Sequence, residues 1–283
     1  MPPGIAAEPK LAPFLKWAGG KRSLLPRILP LVPRKIDVYY EPFLGGGALF
    51  FELARLGRIG RAVLADRNRE LIVCYEAIRD DVEGVMRALD LCKYEEKAYY
   101  AMRDLDPASL SPVASAARTI YLNKTGFNGL YRVNSSGRFN VPFGHFPTAR
   151  RFYDPLRLAE VSRVLKTVDL RSDDFETVVA AAKPGDFVYF DPPYVPLSQT
   201  SSFTAYGQQG FGDRDQQRLA DLLRRLRKAK VAALLSNSDC DYTQRLYKGL
   251  RPVRAEVRRA INSVGDRRGP VSELLVRSFA YPC

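Results

Sequence analysis

Short apolar runs alternate with helical patterns along most of this 283-residue chain. Six runs rich in Val, Tyr and Leu have the length of buried strands: Val38 to Tyr40, Ala62 to Ala65, Thr167 to Leu170, Phe187 to Phe190, Val231 to Leu235 and Leu274 to Phe279. This alternation predicts an α/β fold with a mainly parallel sheet and helices on both faces.

The alternation is interrupted once, between about Asn68 and Leu165. This interval holds three helical patterns and the segment YRVNSSGRFNV, which reads as a hairpin turning at Asn134 to Gly137. The helical patterns are Arg69 to Arg79, Glu95 to Asp104 and Val113 to Leu122. We therefore predict a principal domain of residues 1–68 and 158–283, and an inserted, mainly helical domain with a β-hairpin at residues 69–157.

The composition argues against several classes of protein. No segment approaches 18 consecutive apolar residues, and the N-terminus MPPGIAAEPK lacks the pattern of a signal peptide. The four cysteines form no C-x-x-C pair and His145 is the only histidine, which argues against a disulfide framework, a metal site and a Ser-His-Asp hydrolase. We expect a cytoplasmic protein that uses neither membrane nor metal.

Positive charge is concentrated in the predicted insert. The net charge is +13, and the window from Pro107 to Tyr153 contains no acid, although the average composition would place roughly five acids there. Basic residues such as Lys124 and Arg138 are interleaved with aromatic residues in this window. Such a segment is typical of a surface that binds a polyphosphate partner.

A glycine-rich segment, YYEPFLGGGALF, follows the first predicted strand. Glycines at a strand end let the backbone approach a ligand closely. The segment matches neither Walker A nor the dinucleotide fingerprint, whose last glycine is replaced by Phe50. The next strand ends at Asp66, where a carboxylate can accept hydrogen bonds from ribose hydroxyls. Together these features indicate a nucleoside cofactor; the alternative is that Asp66 caps the helix that starts near Asn68.

The segment FVYFDPPYV ends a strand with Asp191 and two prolines. Because the prolines hold the chain extended, the Pro192 carbonyl is predicted to point outward beside the Asp191 carboxylate and the Tyr194 ring. Two rigid acceptors beside an aromatic face suit a planar, amine-bearing ligand such as adenine. With both N–H bonds held, the amine lone pair can attack a sulfonium methyl in line, and catalysis then rests on positioning and electrostatics. The alternative is a proline-rich strand end without a ligand.

Six segments occur in the order typical of Dam-type DNA adenine methyltransferases, and from Phe14 to Phe279 the chain resembles that family. They are FLKWAGGK, EPFLGGGALF, LADRN, NKTGFNGLYRVNSSGRFNVPFG, SDDF and DPPY. The resemblance implies a Rossmann-like S-adenosylmethionine-dependent methyltransferase sheet. It also implies methyl transfer from S-adenosyl-L-methionine to the N6 amino group of adenine in duplex DNA, within GATC, after base flipping.

The resemblance assigns roles to residues of this chain. The implied catalytic residues are Asp191, Pro192, Pro193 and Tyr194. The implied cofactor-binding residues are Trp17, Lys21, Glu41, Phe43, Gly45, Gly47, Asp66, Asp174, Phe175 and Asp191. The implied DNA-binding residues are Lys16, Lys124, Phe127, Asn128, Leu130, Arg132, Arg138 and Pro142.

Within the DNA-binding set, the resemblance implies two kinds of contact. Phe127 and Asn128 match residues that enter the base stack when the target flips, while Lys16, Leu130, Arg132 and Pro142 match residues that read the flanking base pairs. Arginine is the commonest reader of guanine, which suits Arg132. Two positions depart from the family pattern: Phe127 is often tyrosine there, and Tyr131 is bulkier than the usual residue.

Two other functions stay open at this point. Cytosine amino methylation uses the same chemistry, although its motif usually begins with Ser. A DNA-binding regulator that has lost catalysis would keep the fold without the activity. The expected partner is double-stranded DNA. Whether a restriction endonuclease that acts on the same site is a second partner stays open. The chain is expected to be a monomer.

Overall fold

The computed structural model describes residues 11–146, 151–195, 211–258 and 270–280. These residues form one seven-stranded sheet in the order β3-β2-β1-β4-β5-β7-β6. The strands are β1 (Tyr39–Glu41), β2 (Ala62–Ala65), β3 (Val168–Arg171), β4 (Phe187–Phe190), β5 (Ala232–Ser238), β6 (Arg251–Arg258) and β7 (Pro270–Arg277). Strands β1 to β5 pair in parallel, and β7 is antiparallel to both β5 and β6.

This sheet confirms the predicted Rossmann-like α/β fold. All six predicted runs are strands, and β6 is the strand that was not predicted. Its sequence, RPVRAEVR, alternates apolar with charged residues and contains Pro252. Proline is tolerated in β6 because this strand lies at the edge of the sheet and pairs only with β7.

Helices cover both faces of the sheet. Among the described residues they are α1 (Leu25–Ile28), α2 (Ala48–Arg55), α3 (Arg69–Asp90), α4 (Glu96–Asp104), α5 (Pro112–Thr125), α6 (Pro155–Leu165), α7 (Phe175–Val178), α8 (Asp213–Lys228) and α9 (Asp241–Leu246). Ser-Pro and Asp-Pro pairs start α5 and α6, where Ser111 and Asp154 accept hydrogen bonds from Ala114 N and Arg157 N.

Helix α3 continues beyond its predicted end at Arg79. Asp81 has non-helical backbone angles (φ −145°, ψ 66°), and its carboxylate accepts a hydrogen bond from Gly84 N at 2.8 Å. The helix is therefore broken near the predicted end, and a second helical segment, capped by Asp81, extends it to Asp90.

The chain between β2 and β3 contains α3, α4, α5, the hairpin (residues 131–141) and α6. Asn134 N donates to Arg138 O at 2.8 Å, and Asn140 N donates to Arg132 O at 3.0 Å. Val133 and Phe139 form an antiparallel bridge between these bonds. The predicted hairpin is thus confirmed, whereas the division of the chain into two domains stays a prediction.

Two apolar clusters lie on opposite faces of the sheet. Successive residues of a strand point to opposite faces, so Tyr39 belongs to the larger cluster and Tyr40 to the smaller one. The larger cluster continues from β1 and β2 through α3 to Ile120 of α5 and Phe139 of the hairpin. The segment between β2 and β3 therefore shares its core with the sheet.

The strand order reverses between β1 and β4, because β2 and β3 lie on one side of this pair and β5 on the other. Open α/β sheets bind their ligands at the carboxyl ends of the strands at this reversal. Both ligand-binding segments predicted from the sequence, GGG after β1 and DPPY after β4, follow these two strands.

No helix in the described ranges is long and apolar enough to cross a membrane. In the same ranges, no group of three or more His, Cys, Asp and Glu side chains could hold a metal ion.

Candidate active site

Asp191, the first residue after β4, forms an ion pair with Lys21. Lys21 Nζ lies 2.8 Å from Asp191 Oδ1 and also donates to Gly19 O at 2.7 Å. Ser236 Oγ, on β5, donates to the same Asp191 oxygen at 3.0 Å. Among the described residues no group binds Asp191 Oδ2, so that oxygen can accept a hydrogen bond from a ligand.

Both side chains of this pair are shielded from solvent, with exposed fractions of 9% for Lys21 and 19% for Asp191. Burial raises the pKa of Asp191, while Lys21 and the Ser236 hydroxyl oppose this rise. Lys21 thus balances the charge of the Asp191 carboxylate, whose Oδ2 remains an acceptor in surroundings that screen charge weakly.

The segment after β4 is held from α8 through the Pro193 carbonyl. Gln216 Nε2 donates to Pro193 O at 3.0 Å, and Gln216 Oε1 accepts a hydrogen bond from Asn237 Nδ2 at 3.1 Å. No donor within the described residues reaches the Pro192 carbonyl. This carbonyl and Asp191 Oδ2 are therefore two available acceptors on one rigid segment.

The Tyr194 ring lies next to these acceptors. Lys21 Nζ is 4.5 Å from the ring centroid, and the Tyr194 hydroxyl donates to Glu273 Oε2, on β7, at 2.6 Å. Burial, followed by the nearby acids Asp191 and Glu273, raises the pKa of Tyr194 well above its ordinary value. Tyr194 is therefore a neutral ring held at one edge by Glu273 and on one face by Lys21.

The glycine loop (residues 45–47) connects β1 to α2 and needs its glycines. Gly45 and Gly47 have φ angles of 47° and 66°, which side chains rarely adopt. A Cβ on Gly45 would lie 2.7 Å from Trp17 Cδ1. The indole of Trp17 therefore packs directly on the loop, and no larger residue fits at position 45.

Asp66, at the end of β2, supports this loop. Its Oδ2 accepts a hydrogen bond from Gly45 N and its Oδ1 accepts one from Asn68 N, each at 2.9 Å. The residue that caps α3 is Asn68, which accepts from Leu71 N at 3.2 Å. The alternative role of Asp66 as the helix cap is therefore wrong. Burial raises the pKa of Asp66, and the two backbone bonds lower it.

Glu41 ends β1 beneath the Lys21–Asp191 pair. Its side chain is 3% exposed and accepts a hydrogen bond from the Tyr39 hydroxyl at 2.9 Å. Burial, with a contribution from Asp191, raises the pKa of Glu41 to about 8, against the lowering effects of Tyr39 and Lys21. This rise favours the protonated, neutral form of Glu41 over the charged form.

An aromatic group lies on the other side of the glycine loop. The half-buried Phe43 stacks on the buried Phe175 with ring centroids 5.7 Å apart, and Phe211 contacts both rings. Asp174 caps α7 through Glu176 N at 3.1 Å. The structure thus brings together Phe43 and Phe175, which were both predicted to bind the cofactor.

Arg218 of α8 binds Asp174 and covers Phe175. Its Nη2 lies 2.7 Å from Asp174 Oδ1, and its guanidinium carbon is 4.7 Å from the centre of the Phe175 ring. Burial alone would raise the pKa of Asp174, but the Arg218 contacts outweigh it and leave this pKa below its ordinary value. Arg218 was not predicted, because DQQRLADLL reads as an ordinary amphipathic helix.

Phe127 and Asn128 form an exposed tip next to the hairpin. The Phe127 side chain is 52% exposed, although large apolar residues are usually buried. Asn128 has a φ of 56°, a strained value for a non-glycine residue. Phe127 N donates to Pro142 O at 2.9 Å, which fixes this tip against the exposed Pro142.

Asn123 joins the N-terminal segment to this tip. Its Oδ1 accepts a hydrogen bond from Lys16 N at 2.9 Å, and its Nδ2 donates to Lys16 O at 2.7 Å and to Gly129 O at 3.2 Å. Lys16 is thereby held beside Leu130, although 107 positions separate Lys16 from Asn123. Asn123 was not singled out in the sequence, because a buried amide has no local signature.

Arg132 is an exposed residue of the hairpin with a fixed guanidinium. Its Nε donates to Asn140 Oδ1 at 2.8 Å and its Nη2 donates to Asn140 O at 3.2 Å. Arg138, also exposed, lies near the turn. The hairpin thus presents two arginines to solvent, of which Arg132 has the more defined orientation.

Lys124 is half-buried and lines a cavity of about 280 Å³ with Arg151 and Arg157. Burial, together with the positive charges of Arg157, Arg22 and Lys16, lowers the pKa of Lys124 to about 8. A cluster of cations that repel one another favours binding of an anion.

The chain has relatives of known family. A family model described as D12 class N6 adenine-specific DNA methyltransferase matches residues 17–261. The chain is 42% identical over 277 residues to Type II methyltransferase M1.LlaDCHI of Lactococcus lactis subsp. cremoris, covering 95% of this chain and 96% of that protein. It is 39% identical over 289 residues to Type II methyltransferase M.MjaIII of Methanocaldococcus jannaschii, covering 95% and 100%.

A third relative is the DNA adenine methylase of Escherichia coli strain K12. The two sequences are 36% identical over 267 residues, which cover 93% of this chain and 93% of that protein. The family match decides for adenine over cytosine and for an enzyme over an inactive regulator. The strand-end acceptors, the glycine loop and the matching relatives agree: this chain belongs to the D12 class of N6 adenine-specific DNA methyltransferases and methylates the N6 amino group of adenine in DNA.

Proposed function

We propose that this enzyme takes its methyl group from S-adenosyl-L-methionine and transfers it to a flipped adenine within GATC in duplex DNA. The observation that carries this proposal is the pair of available acceptors, Asp191 Oδ2 and the Pro192 carbonyl, beside the Tyr194 ring. These groups adjoin the glycine loop, because β1 and β4 are neighbouring strands.

The residues around the glycine loop suit S-adenosylmethionine. Gly45 and Gly47 leave the backbone bare where a side chain would collide with its neighbours. Asp66 lies at the adjacent strand end with a carboxylate that can bond ribose hydroxyls alongside Gly45 N. Phe43 and Phe175 offer an apolar, aromatic wall for an adenine ring, and Asp174 an acceptor at its edge.

The remaining cofactor contacts come from Trp17, Lys21 and Glu41. Trp17 covers the loop, and Lys21 holds Asp191 in position. Glu41 supports the floor of the site as a neutral acid. When bound, S-adenosylmethionine supplies a methyl group on a positively charged sulfur, which makes that carbon electrophilic.

The chemistry of the chain is to prepare the adenine amine. Asp191 Oδ2 and the Pro192 carbonyl accept its two N–H bonds, so that the nitrogen lone pair is withdrawn from the ring and directed at the methyl carbon. Tyr194 stacks on the adenine, and Pro193 keeps the segment rigid. Bound S-adenosylmethionine would supply the methyl group to the amine nitrogen and leave as a neutral thioether, and Asp191 would be the nearest acceptor for the proton that the methylated amine loses.

Adenine reaches these groups only if it leaves the duplex, because its amino group is paired inside the double helix. Phe127 and Asn128 occupy the vacated space in the stack, which suits their exposed position at a fixed tip. Lys124 and Arg138 bind phosphates, which positions the duplex without specifying its sequence.

The recognition sequence follows from the residues that match the family at the reading positions. Lys16, Leu130, Arg132 and Pro142 contact the base pairs beside the target. The bonds from Arg132 to Asn140 orient its guanidinium for paired hydrogen bonds to a guanine.

We further propose a cytoplasmic monomer in which residues 69–157 bind the DNA and residues 1–68 with 158–283 bind the cofactor. Two of the relatives are named Type II methyltransferases. We therefore propose as a second partner in the cell a restriction endonuclease that cuts the same sequence and is blocked by this methylation.

The test is to incubate the enzyme with unmethylated genomic DNA and S-adenosylmethionine, and to map modified bases with their sequence context. N6-methyladenine confined to GATC is expected, formed at least about 10²-fold more slowly by the Asp191→Ala variant. Methylation in another context would overturn the assignment of the reading residues, and methylation by the variant at a near-wild-type rate would overturn the role of Asp191.

A further inference from the structure

Tyr131 contacts both the cofactor side and the DNA side of the protein. It is the first residue of the hairpin and directly precedes Arg132. Its ring stacks on Trp17, with centroids 5.0 Å apart and planes inclined by 26°, and meets Phe139 of the opposite hairpin strand edge-on at 5.5 Å. One side chain thus links the N-terminal segment to both strands of the hairpin.

Trp17 packs against the glycine loop as well as against Tyr131. A Cβ on Gly46 would lie 3.2 Å from Trp17 Cβ, and one on Gly45 would lie 2.7 Å from Trp17 Cδ1. The indole therefore lies between the loop and the Tyr131 ring. Since a Cβ at either position would not fit beside Trp17, the indole packs against the bare backbone of the loop, and a loop that moves toward the indole would displace it.

The Tyr131 hydroxyl is held by a buried ion pair. It donates to Glu70 Oε2 at 3.2 Å, and Glu70 Oε1 accepts from Arg118 Nη1 at 2.6 Å. Arg118 is 2% exposed and donates further to the carbonyls of Met102 and Arg103. The oxygen that holds the hydroxyl is therefore well fixed.

Glu70, which binds the Tyr131 hydroxyl, is also connected to the glycine loop through the start of α3. Glu70 lies in the first turn of α3, which Asn68 caps. Asp66 accepts hydrogen bonds from both Asn68 N and Gly45 N. These contacts, with the main chain from Asn68 to Glu70, form a ring that runs from Gly45 through Trp17, Tyr131, Glu70, Asn68 and Asp66 back to Gly45.

We propose that Tyr131 is a positioning residue that couples cofactor binding to DNA reading. This inference rests on the proposed function of the two sites. A cofactor in the glycine loop restricts the loop and the Trp17 indole, which restricts the Tyr131 ring and orders the hairpin that carries Arg132. Binding of the cofactor then lowers the conformational entropy that the hairpin loses when DNA binds. Because the coupling free energy is shared, DNA increases the affinity for the cofactor by the same factor.

The test measures the coupling in wild-type enzyme and in two variants. Dissociation constants for a duplex with the mapped target sequence are determined with and without sinefungin, an unreactive analogue of the cofactor. We expect sinefungin to tighten wild-type DNA binding by about tenfold, a common size for such coupling. Tyr131→Leu removes the stack and should reduce the factor to less than about twofold. Tyr131→Phe keeps the ring and should retain most of the coupling.

The chain offers a direct probe of the stack, because Trp17 is its only tryptophan. Titration of wild-type enzyme with the target duplex, without cofactor, should change the Trp17 emission, since the hairpin moves the ring stacked on the indole. The same duplex with a scrambled target should change it less. The response should persist in Tyr131→Phe and disappear in Tyr131→Leu. Thermal unfolding of each variant establishes that it is folded.

The outcomes separate this inference from the proposed function. Full coupling in Tyr131→Leu, no coupling in wild-type enzyme, or a wild-type Trp17 emission that does not respond to DNA would each overturn the role of Tyr131 while leaving methylation of GATC intact. Failure of calorimetry to detect binding of either S-adenosylmethionine or sinefungin would overturn both proposals. If Tyr131→Leu does not fold, the wild-type emission experiment alone still decides.

Discussion

The hydroxyl of Tyr194 donates a 2.6 Å hydrogen bond to Glu273 and thereby ties the segment after β4 to the antiparallel strand β7. Glu273 is only 7% exposed, and its carboxylate lies in the same group of charges as Lys21 and Asp191. A residue near the C-terminus thus fixes the ring that stacks on the proposed substrate.

We predict that Glu273→Ala lowers kcat/KM by about tenfold, because a freely rotating Tyr194 ring positions the adenine less well. Glu273→Gln keeps an acceptor oxygen and is the matched control, with a much smaller loss. Steady-state kinetics check this, and 2-aminopurine at the target position reports flipping. Tyr194→Phe should add little to Glu273→Ala, and fully additive losses would argue against the contact.

Asp191→Ala should lower kcat by at least about 10²-fold, because it removes one of two groups that hold the amine in the transition state. Affinity for DNA, measured by fluorescence anisotropy, should change little. Asp191→Asn keeps the size of the side chain but loses its charge, and should fall between wild type and alanine. Near-normal turnover in the alanine variant contradicts the proposed role.

Arg132→Ala should relax selection at one base pair of the target by about 1–3 kcal/mol, the usual value of a paired arginine contact to guanine. Arg138→Ala is the comparison, since Arg138 is exposed on the same hairpin and is expected to weaken binding to all sequences alike. Methylation rates on single-substitution duplexes distinguish the two. A uniform loss for Arg132→Ala would mean that it contacts phosphate.

DNA binding should weaken as the pH rises from 7 to 9. Lys124 has its pKa lowered to about 8 by burial and by neighbouring cations, so its charge is present below that pH and lost above it. Bound phosphate favours the charged form and moves the loss to higher pH. Lys124→Arg stays charged throughout and should show a flatter pH dependence of the dissociation constant. Equal slopes for the two proteins would exclude Lys124 as the cause.

Glu41→Gln should remove part of the pH dependence of stability. The pKa of Glu41 is about 8 in the folded protein against an ordinary value of 4.5. The stabilisation is therefore complete below about pH 4.5 and is lost as the pH rises toward 8, at up to about 1.4 kcal/mol per pH unit. Urea unfolding at pH 5.5, 6.5 and 7.5 checks this. Glutamine does not titrate, so identical slopes in wild type and variant contradict the assignment.

The sheet could be predicted because most of its strands contain a short apolar run, such as AVLA in β2 and FVYF in β4. Strand β6 was not predicted, because an edge strand needs only alternate apolar residues, such as Val253 and Ala255. The charged residues between them make its sequence resemble that of a loop. The length of α3 was underestimated for a different reason. The break at Asp81 ends the regular pattern, while a new cap restarts the helix.

The candidate site was predictable where its residues are contiguous in sequence. The glycine loop and DPPY each form a recognisable strand end. Ser236, Gln216 and Glu273 were not found, because each reaches the site from a distant element and lies in an unremarkable local sequence. Asp66 was placed correctly beside the glycine loop, but its bond to Gly45 N could be seen only in three dimensions.

The apolar cluster that runs from β1 through α3 to Ile120 and Phe139 limits how this enzyme can acquire a new target sequence. A segment that shares its interior with the catalytic sheet cannot be transplanted as a cassette, since the graft would leave the recipient with mismatched side-chain volumes. New sequence preferences are therefore most accessible through single substitutions on the exposed faces of the hairpin, where residues such as Arg132 and Arg138 contribute nothing to that interior.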